Sequence, residues 1–138
     1  MNHVKRNKEI VRRYIEELWN GQQFELIDEI LAPDLLSHNP DGTDEQGNQR
    51  FLQVIPGVRK AFPDLHLTIE DMVAEEDRVA YRLTIRGTHE GEFAGVAPTH
   101  KRVTATEMFI MRLSGGRIIE SWYVRDQEGL VRQLREGQ

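Results

Sequence analysis

The chain has 138 residues, of which 38% are hydrophobic and 30% charged, and it contains no cysteine. Such a composition predicts one folded domain, spanning residues 1–138, and excludes disulfides and thiol catalysis. Lys and Arg number 18 against 23 Asp and Glu, a net charge of −5 without any basic block, which argues against nucleic acid as a partner. Because no apolar run reaches membrane-spanning length and no signal peptide opens the chain, we expect a cytoplasmic protein with no membrane partner.

The first half of the chain predicts three helices. Apolar residues recur at helical spacing over residues 5–19, and a second, shorter helix follows from Phe24 to Leu31. Pro33 ends that second helix, because the residue before a proline avoids helical backbone angles. The third helix covers residues 44–62, and the Pro56-Gly57 pair inside it predicts a kink or a break.

The second half predicts strands. A brief strand at residues 35–38 precedes the third helix, and a hairpin follows it from residues 65–74 to residues 78–89. A second, longer hairpin turns at Gly115-Gly116, and a closing helix covers residues 127–136. Helices first and an antiparallel sheet after them indicate an α+β domain in which helices cover one face of the sheet.

The long hairpin is expected to build the functional site. If its turn pairs Leu113 with Ile118, the antiparallel register extends away from it, and side chains two residues apart share a face. The predicted pairs are Met111 with Glu120, Phe109 with Trp122, Glu107 with Val124, and Ala105 with Asp126. This mostly apolar face with three carboxylates is typical of a small-molecule pocket. The opposite face, with Met108 and Ile110, is predicted to also carry Ser121 and Tyr123 and to pair with a second copy of the chain in a homodimer.

Acid–base chemistry is the reaction type that the residues favour. The five histidines are scattered, no metal-binding pair occurs, and no phosphate loop, dinucleotide fingerprint or nucleophile elbow is present. We therefore predict no metal and no cofactor. His38 is the best imidazole candidate, whereas His89 and His100 are expected at exposed loop positions. A carboxyl group in an apolar site could carry a proton, and Asp126 is expected to have a raised pKa for that reason.

Three segments resemble one protein family. They are YIEELWNGQQFELIDEILAPDLLSHNP, AFPDLHLTIEDMVAEEDRVAYRLTIRGTHEGEFAGVAPT and GGRIIESWYVRDQEGLVRQL, which together span most of the chain. In these the chain resembles the SnoaL-like polyketide cyclases, or ester cyclases, of the nuclear transport factor two-like superfamily. The resemblance implies a cone-shaped α+β barrel whose strongly curved, mostly antiparallel sheet wraps a pocket closed by the N-terminal helices.

The resemblance also implies roles for particular residues. Asp126 matches the general acid/base that drives an intramolecular aldol ring closure, or a related isomerisation, without metal or cofactor. His38 matches a pocket histidine and is taken with Asp126 as catalytic. Trp122 and Phe93 match pocket-wall positions. Phe109, Glu107 and Tyr14 complete the expected substrate-binding set, for a small hydrophobic or polycyclic ligand.

Two other functions remain open at this point. One is a non-catalytic ligand-binding or scaffold domain, and the other is an epoxide hydrolase or dehydratase of the same superfamily. Asp126 has an alternative role as well, because Asp is a favoured N-cap and a helix is predicted directly behind it. The two roles could be combined, with one oxygen capping the helix and the other facing the pocket.

Overall fold

A six-stranded sheet with helices on one face forms the framework of the protein. The computed structural model describes residues 3–136. The strands are β1 Leu31–His38, β2 Asp44–Gln46, β3 His66–Glu75, β4 Arg78–Thr88, β5 Arg102–Ser114 and β6 Arg117–Arg125. Their order across the sheet is β2-β1-β6-β5-β4-β3, and β1 with β6 is the parallel pair among otherwise antiparallel neighbours. The sheet is curved but not closed, so the predicted α+β class and curvature are confirmed while the barrel is open.

The helices differ from the predicted ones at their ends. They are α1 His3–Arg13, which continues into a π-helical segment at Tyr14–Asn20, then α2 Leu26–Ile30, α3 Phe51–Ala61 and α4 Gln127–Arg135. The predicted start of the third helix at Asp44 is wrong, because Asp44–Gln46 pairs with β1 as an edge strand. Of the kink or break predicted at Pro56-Gly57, the break is wrong: α3 runs through Pro56, which lies on the exposed side of the helix.

The core lies between the helices and the inner face of the sheet. Along β5 every second residue points into it, and Val103, Ala105, Met111 and Leu113 are all buried. The N-terminal helices bring apolar side chains to the same core at the spacing that the sequence predicts. Those with almost no exposed surface are Val11, Ile15, Leu18, Ile27, Ile30 and Ile55. Burial of this apolar surface supplies most of the stabilisation of such a fold.

The register of the long hairpin corrects the predicted faces. The turn has Gly115 at φ 59° and Gly116 at φ 81°, and Leu113 pairs with Ile118 as predicted. The register then shifts by one residue, so that Arg112 pairs with Glu120. The extra residue, Ile119, makes a β-bulge, and every later side chain of β6 changes face. The predicted pairs beyond the bulge are therefore wrong.

Beyond the bulge, the outer face of β6 carries Glu120, Trp122 and Val124. The inner face carries Ser121, Tyr123 and Arg125, which pair with Met111, Phe109 and Glu107 of β5. This places an arginine beside the buried glutamate, where the sequence predicted a valine.

Candidate functional site

Two adjoining cavities lie between the helices and the inner face of the sheet. The larger, of about 90 Å³, is next to the π-helical segment, and the other, of about 70 Å³, is next to α4. The first is lined by Tyr14, Ile15, Trp19, Val58, Leu65, Leu67, Leu83, Ile85, Glu107, Phe109 and Arg125. The second is lined by Val58, Phe62, Leu65, Ile85, Gly87, Phe93, Val103, Ala105, Arg125 and Leu130. Apolar walls with few polar groups are typical of a small-molecule site.

Glu107 is the buried carboxyl group of this interior. Its side chain is 4% exposed, and its Oε2 accepts a hydrogen bond from Nε of Arg125, whose side chain is 34% exposed. Burial raises the pKa of Glu107, and the charge of Arg125 opposes that rise. A buried carboxyl group with a raised pKa holds a proton more readily than a free one, which favours a role in proton transfer.

Tyr14 supplies a hydroxyl group to the same cavity. It is the first residue of the π-helical segment, a helix type often found at functional sites, and it is 5% exposed. Burial raises its pKa to about 12, so the hydroxyl keeps its proton and remains a hydrogen-bond donor at neutral pH.

The π-helical segment is held against the sheet at its far end. Nη2 of Arg59 donates to the carbonyl oxygens of Trp19 and Asn20, at 2.7 and 3.2 Å. The Asn20 side chain exchanges two hydrogen bonds with the backbone of Leu67 on β3. These contacts satisfy carbonyls that a helix end leaves open, and they fix the wall that carries Tyr14.

Phe109 and Phe93 line different cavities of the interior. Phe109 lines the cavity that holds Glu107, and its ring stacks between those of Tyr81 and Tyr123, with centroids 5.2 Å away in each case. Phe93 lines the second cavity and meets Phe62 edge to face at 5.2 Å. Of the predicted substrate-binding residues, Tyr14, Glu107, Phe109 and Phe93 thus share this interior.

Trp122 and His38 do not belong to it, and the predicted shared face of Trp122 and Phe109 is wrong. Trp122 follows the bulge and lies on the outer face, where the His38 ring stacks on it at a centroid distance of 5.1 Å. Nδ1 of His38 is 2.8 Å from Oδ1 of Asp44, and Nε2 is 2.7 Å from Oε2 of Glu120. Both carboxylates raise the pKa of His38, and the hydrogen bond from His38 lowers that of Glu120.

Asp126 caps α4 and is exposed to solvent. Its Oδ1 accepts a hydrogen bond of 2.8 Å from the backbone N–H of Gly129, and its carbonyl accepts one from Leu130. The expected desolvation of Asp126 is wrong, because the strand ends at Arg125 and the chain turns outward into the helix. The alternative role as an N-cap is confirmed. A catalytic role for Asp126 remains a prediction.

His89 is another position where the prediction fails. It is fully buried rather than exposed, its ring lies 5.6 Å from that of Phe62, and its Nδ1 accepts a hydrogen bond from the backbone of Thr99. His100 is exposed, as predicted. Within residues 3–136, no helix is long and apolar enough to cross a bilayer and no cluster of His, Asp or Glu has the arrangement of a metal site.

The sequence missed Arg125 as a site residue. The surrounding segment WYVRD did not indicate that the Arg125 side chain lies on the inner face, because only the β-bulge at Ile119 places it there. Glu107 was found because the alternation along β5 is regular.

The curved, open sheet with helices on one face and apolar cavities between the two layers define an α+β fold of the cone type. Comparison with known proteins identifies the family. The SnoaL-like polyketide cyclase family matches residues 9–134, and the chain belongs to it.

Two relatives and one solved structure are similar to the chain. Aklanonic acid methyl ester cyclase of Streptomyces peucetius is 27% identical over 134 residues, which cover 93% of this chain and 90% of that protein. Nogalonic acid methyl ester cyclase of Streptomyces nogalater is 30% identical over 121 residues, 84% of this chain and 88% of that one. A candidate SnoaL-like polyketide cyclase of Jannaschia sp. CCS1 superposes with a TM-score of 0.89 over 100% of this chain and 98% of that one. At 22% identity, this last likeness is one of fold alone. The chain thus belongs to a group of cyclase-like enzymes.

Proposed function

We propose that the protein is a cofactor-independent cyclase or isomerase in which Glu107 transfers the proton. The observation that carries the proposal is that Glu107, the one buried acidic side chain among residues 3–136, has a raised pKa and lines an apolar cavity. The relatives named as methyl ester cyclases support an intramolecular ring closure as the reaction.

The reaction can be written with the groups that line the cavity. The carboxylate of Glu107 takes a proton from the carbon next to a substrate carbonyl, and the C–H electron pair becomes part of an enolate. The hydroxyl of Tyr14 donates a hydrogen bond to the enolate oxygen. The enolate carbon then attacks a second carbonyl of the same molecule, so that a C–C bond forms and a C=O π bond breaks. The resulting alkoxide takes the proton back from Glu107, and the product is an isomer of the substrate.

The family resemblance assigns this proton transfer to Asp126 instead, and a direct comparison of variants separates the two carboxyl groups. We expect the wild-type protein to accelerate hydrogen–deuterium exchange at the acidic carbons of 2-indanone, measured by NMR in D₂O. Glu107→Gln keeps the shape of the side chain and removes the proton acceptor, so it should lower the rate by ~10²-fold or more. Asp126→Asn should leave the rate within about threefold, because Asp126 is exposed and outside the cavity.

Each contrary result has a distinct meaning. Exchange lost in Asp126→Asn and kept in Glu107→Gln would assign the proton transfer to Asp126 instead. Saturable binding of 2-indanone without any exchange would favour the non-catalytic binding or scaffold domain. Hydration of an epoxide such as styrene oxide, without ketone exchange, would favour the hydrolase alternative.

We also propose that a second copy of this chain covers the outer face of the sheet. Met108, Ile110 and Val124 are 53%, 42% and 60% exposed there, around a hollow of about 350 Å³ beside Trp122. Charges of both signs flank this patch, with Arg112 and Glu120 among them, which suits a self-complementary twofold contact. Light scattering should give twice the 16.0 kDa chain mass at micromolar concentration, and Ile110→Glu should return a monomer. A monomer in the wild type would contradict this.

A further inference from the structure

The wall between the two cavities has one charged member. Val58, Leu65, Ile85 and Arg125 line both cavities. Three of these are aliphatic, and Arg125 is the one that can form hydrogen bonds through its side chain. The Arg125 side chain therefore lies where the two cavities meet.

Each cavity alone is smaller than an apolar cavity known to hold a ring. An apolar cavity of about 150 Å³ holds a benzene molecule, whereas these two are about 70 and about 90 Å³. Only the two together approach that volume. A cyclic ligand, or a chain that closes into a ring, therefore needs both cavities and part of the wall between them.

Arg125 is a member of this wall that reaches solvent. Its side chain is 34% exposed, and its link to the interior is the hydrogen bond from Nε to Glu107. Nη1 has a long contact of 3.5 Å to Gln127, and the guanidinium carbon lies 5.5 Å from the centre of the Tyr123 ring. The terminal N–H groups of the guanidinium can thus donate hydrogen bonds to an incoming oxygen atom.

We infer that Arg125 recognises the substrate, binding a carboxylate or carbonyl oxygen with its guanidinium group, and that it turns away from Glu107 to do so, which joins the two cavities into one site. The ligand class is a ring-bearing or ring-forming compound with such an oxygen next to its apolar body. A planar fork of N–H donors suits a carboxylate particularly well.

The same movement prepares Glu107 for catalysis, and this part of the inference rests on the proposed function. While Arg125 is bound to it, the guanidinium charge favours the ionised carboxylate, and one of the carboxylate oxygens is occupied. Once the guanidinium group binds the substrate, that oxygen is free and faces the apolar cavity. Substrate binding would then create the proton acceptor, which limits proton transfer in the empty site.

Benzoate and benzyl alcohol are suitable probes, because they share one ring and differ in the charged group. We expect saturable binding of benzoate to the wild type by NMR titration. Arg125→Met removes the charge at similar length and should weaken benzoate binding by ~10-fold or more, since hydrogen bonds to charged groups are the strong ones. Binding of benzyl alcohol should change by less than about threefold. The control Arg117→Met, at an exposed position of β6 outside both cavities, should change neither.

Glu107→Gln provides the second arm. It releases Arg125 from the ion pair, so benzoate should bind more tightly than to the wild type. Equal loss of both probes in Arg125→Met, or weaker benzoate binding in Glu107→Gln, would overturn the inference, as would absence of benzoate binding to the wild type. These are binding measurements, so they hold or fail independently of whether Glu107→Gln abolishes exchange on 2-indanone.

Discussion

Each face of the β5–β6 hairpin carries an arginine–glutamate ion pair, and the two pairs differ in their surroundings and in their roles. On the inner face, Arg125 and Glu107 meet at the end of the hairpin, with a carboxylate that is 4% exposed. On the outer face, Arg112 and Glu120 meet near the turn, with a carboxylate that is 17% exposed and also bonded to His38. Both pairs join facing residues of the same two strands.

The two glutamates differ in pKa because they differ in exposure to water and in the number of side chains that donate hydrogen bonds to them. Burial raises the pKa of Glu107 in spite of the arginine, whereas hydrogen bonds from His38 and Arg112 lower that of Glu120. The inner glutamate is therefore suited to proton transfer, and the outer one to a permanent charge that holds three strands together. The surroundings of each carboxylate, rather than its residue type, therefore decide whether it suits proton transfer or stabilises the fold.

The largest effect is expected from removing the cation on each face. Arg125→Met leaves Glu107 buried without its partner, which should lower the free energy of unfolding by about 2–3 kcal/mol at pH 8, somewhat less than for a fully buried pair because Arg125 is a third exposed. Arg112→Met should cost about 1 kcal/mol or less, since water and His38 still serve Glu120. Urea denaturation of the two variants measures the contrast.

The pH dependence of Arg125→Met has a defined sign. A carboxyl group with a raised pKa in the folded state destabilises the fold as pH rises from the unfolded value towards the folded one. Without Arg125 this penalty increases, so the loss should be smaller at pH 5 than at pH 8. The double variant Glu107→Gln with Arg125→Met should recover part of the stability. An identical loss in the single and double variants would show that Arg125 contributes through packing alone.

A smaller effect is expected at the end of the hairpin, where Asp126 belongs to neither face. Asp126→Ala removes the acceptor for the N–H of Gly129 and should lower stability by about 1 kcal/mol. Asp126→Asn should be close to the wild type, because Asn caps a helix about as well as Asp. Thermal melts of the two variants test this, and equal losses in both would mean that the charge of Asp126, rather than its hydrogen bond, matters.

Much of the fold follows from local patterns, and the failures trace to a few positions. The alternation along β5 and the Gly115-Gly116 turn were enough to predict the hairpin and the buried position of Glu107. The β-bulge at Ile119 was not predictable, because an inserted residue leaves no mark in composition. That single residue turned Trp122 outward and Arg125 inward.

The other errors have similar causes. Residues 44–46 were expected to be helical, yet the hydrogen bonds that β1 offers its neighbour make them an edge strand. Pro56 was expected to break its helix, but it stands on the exposed side, where the helix tolerates it. For residues 44–46, pairing with β1 decided between local alternatives.

The smallest effect is expected from the outer network, and it depends on pH. Both ring nitrogens of His38 face carboxylate oxygens, at 2.8 and 2.7 Å, so both must carry a proton for the two bonds to exist together. The pKa of His38 is raised above 6.5, and its stabilising contribution is therefore complete below that pH and lost as pH rises through the folded pKa. Glu120 has a lowered pKa, so its contribution is present above 4.5 and lost as pH falls through its folded pKa. The contribution of His38 should thus be greatest between these limits.

In His38→Gln, which can still bridge but cannot be charged, the difference in melting temperature from the wild type should be larger at pH 6 than at pH 9. The control His100→Gln, at an exposed position, should show a smaller dependence on pH. An NMR titration that finds the pKa of His38 at or below 6.5 would contradict a charged network on the outer face.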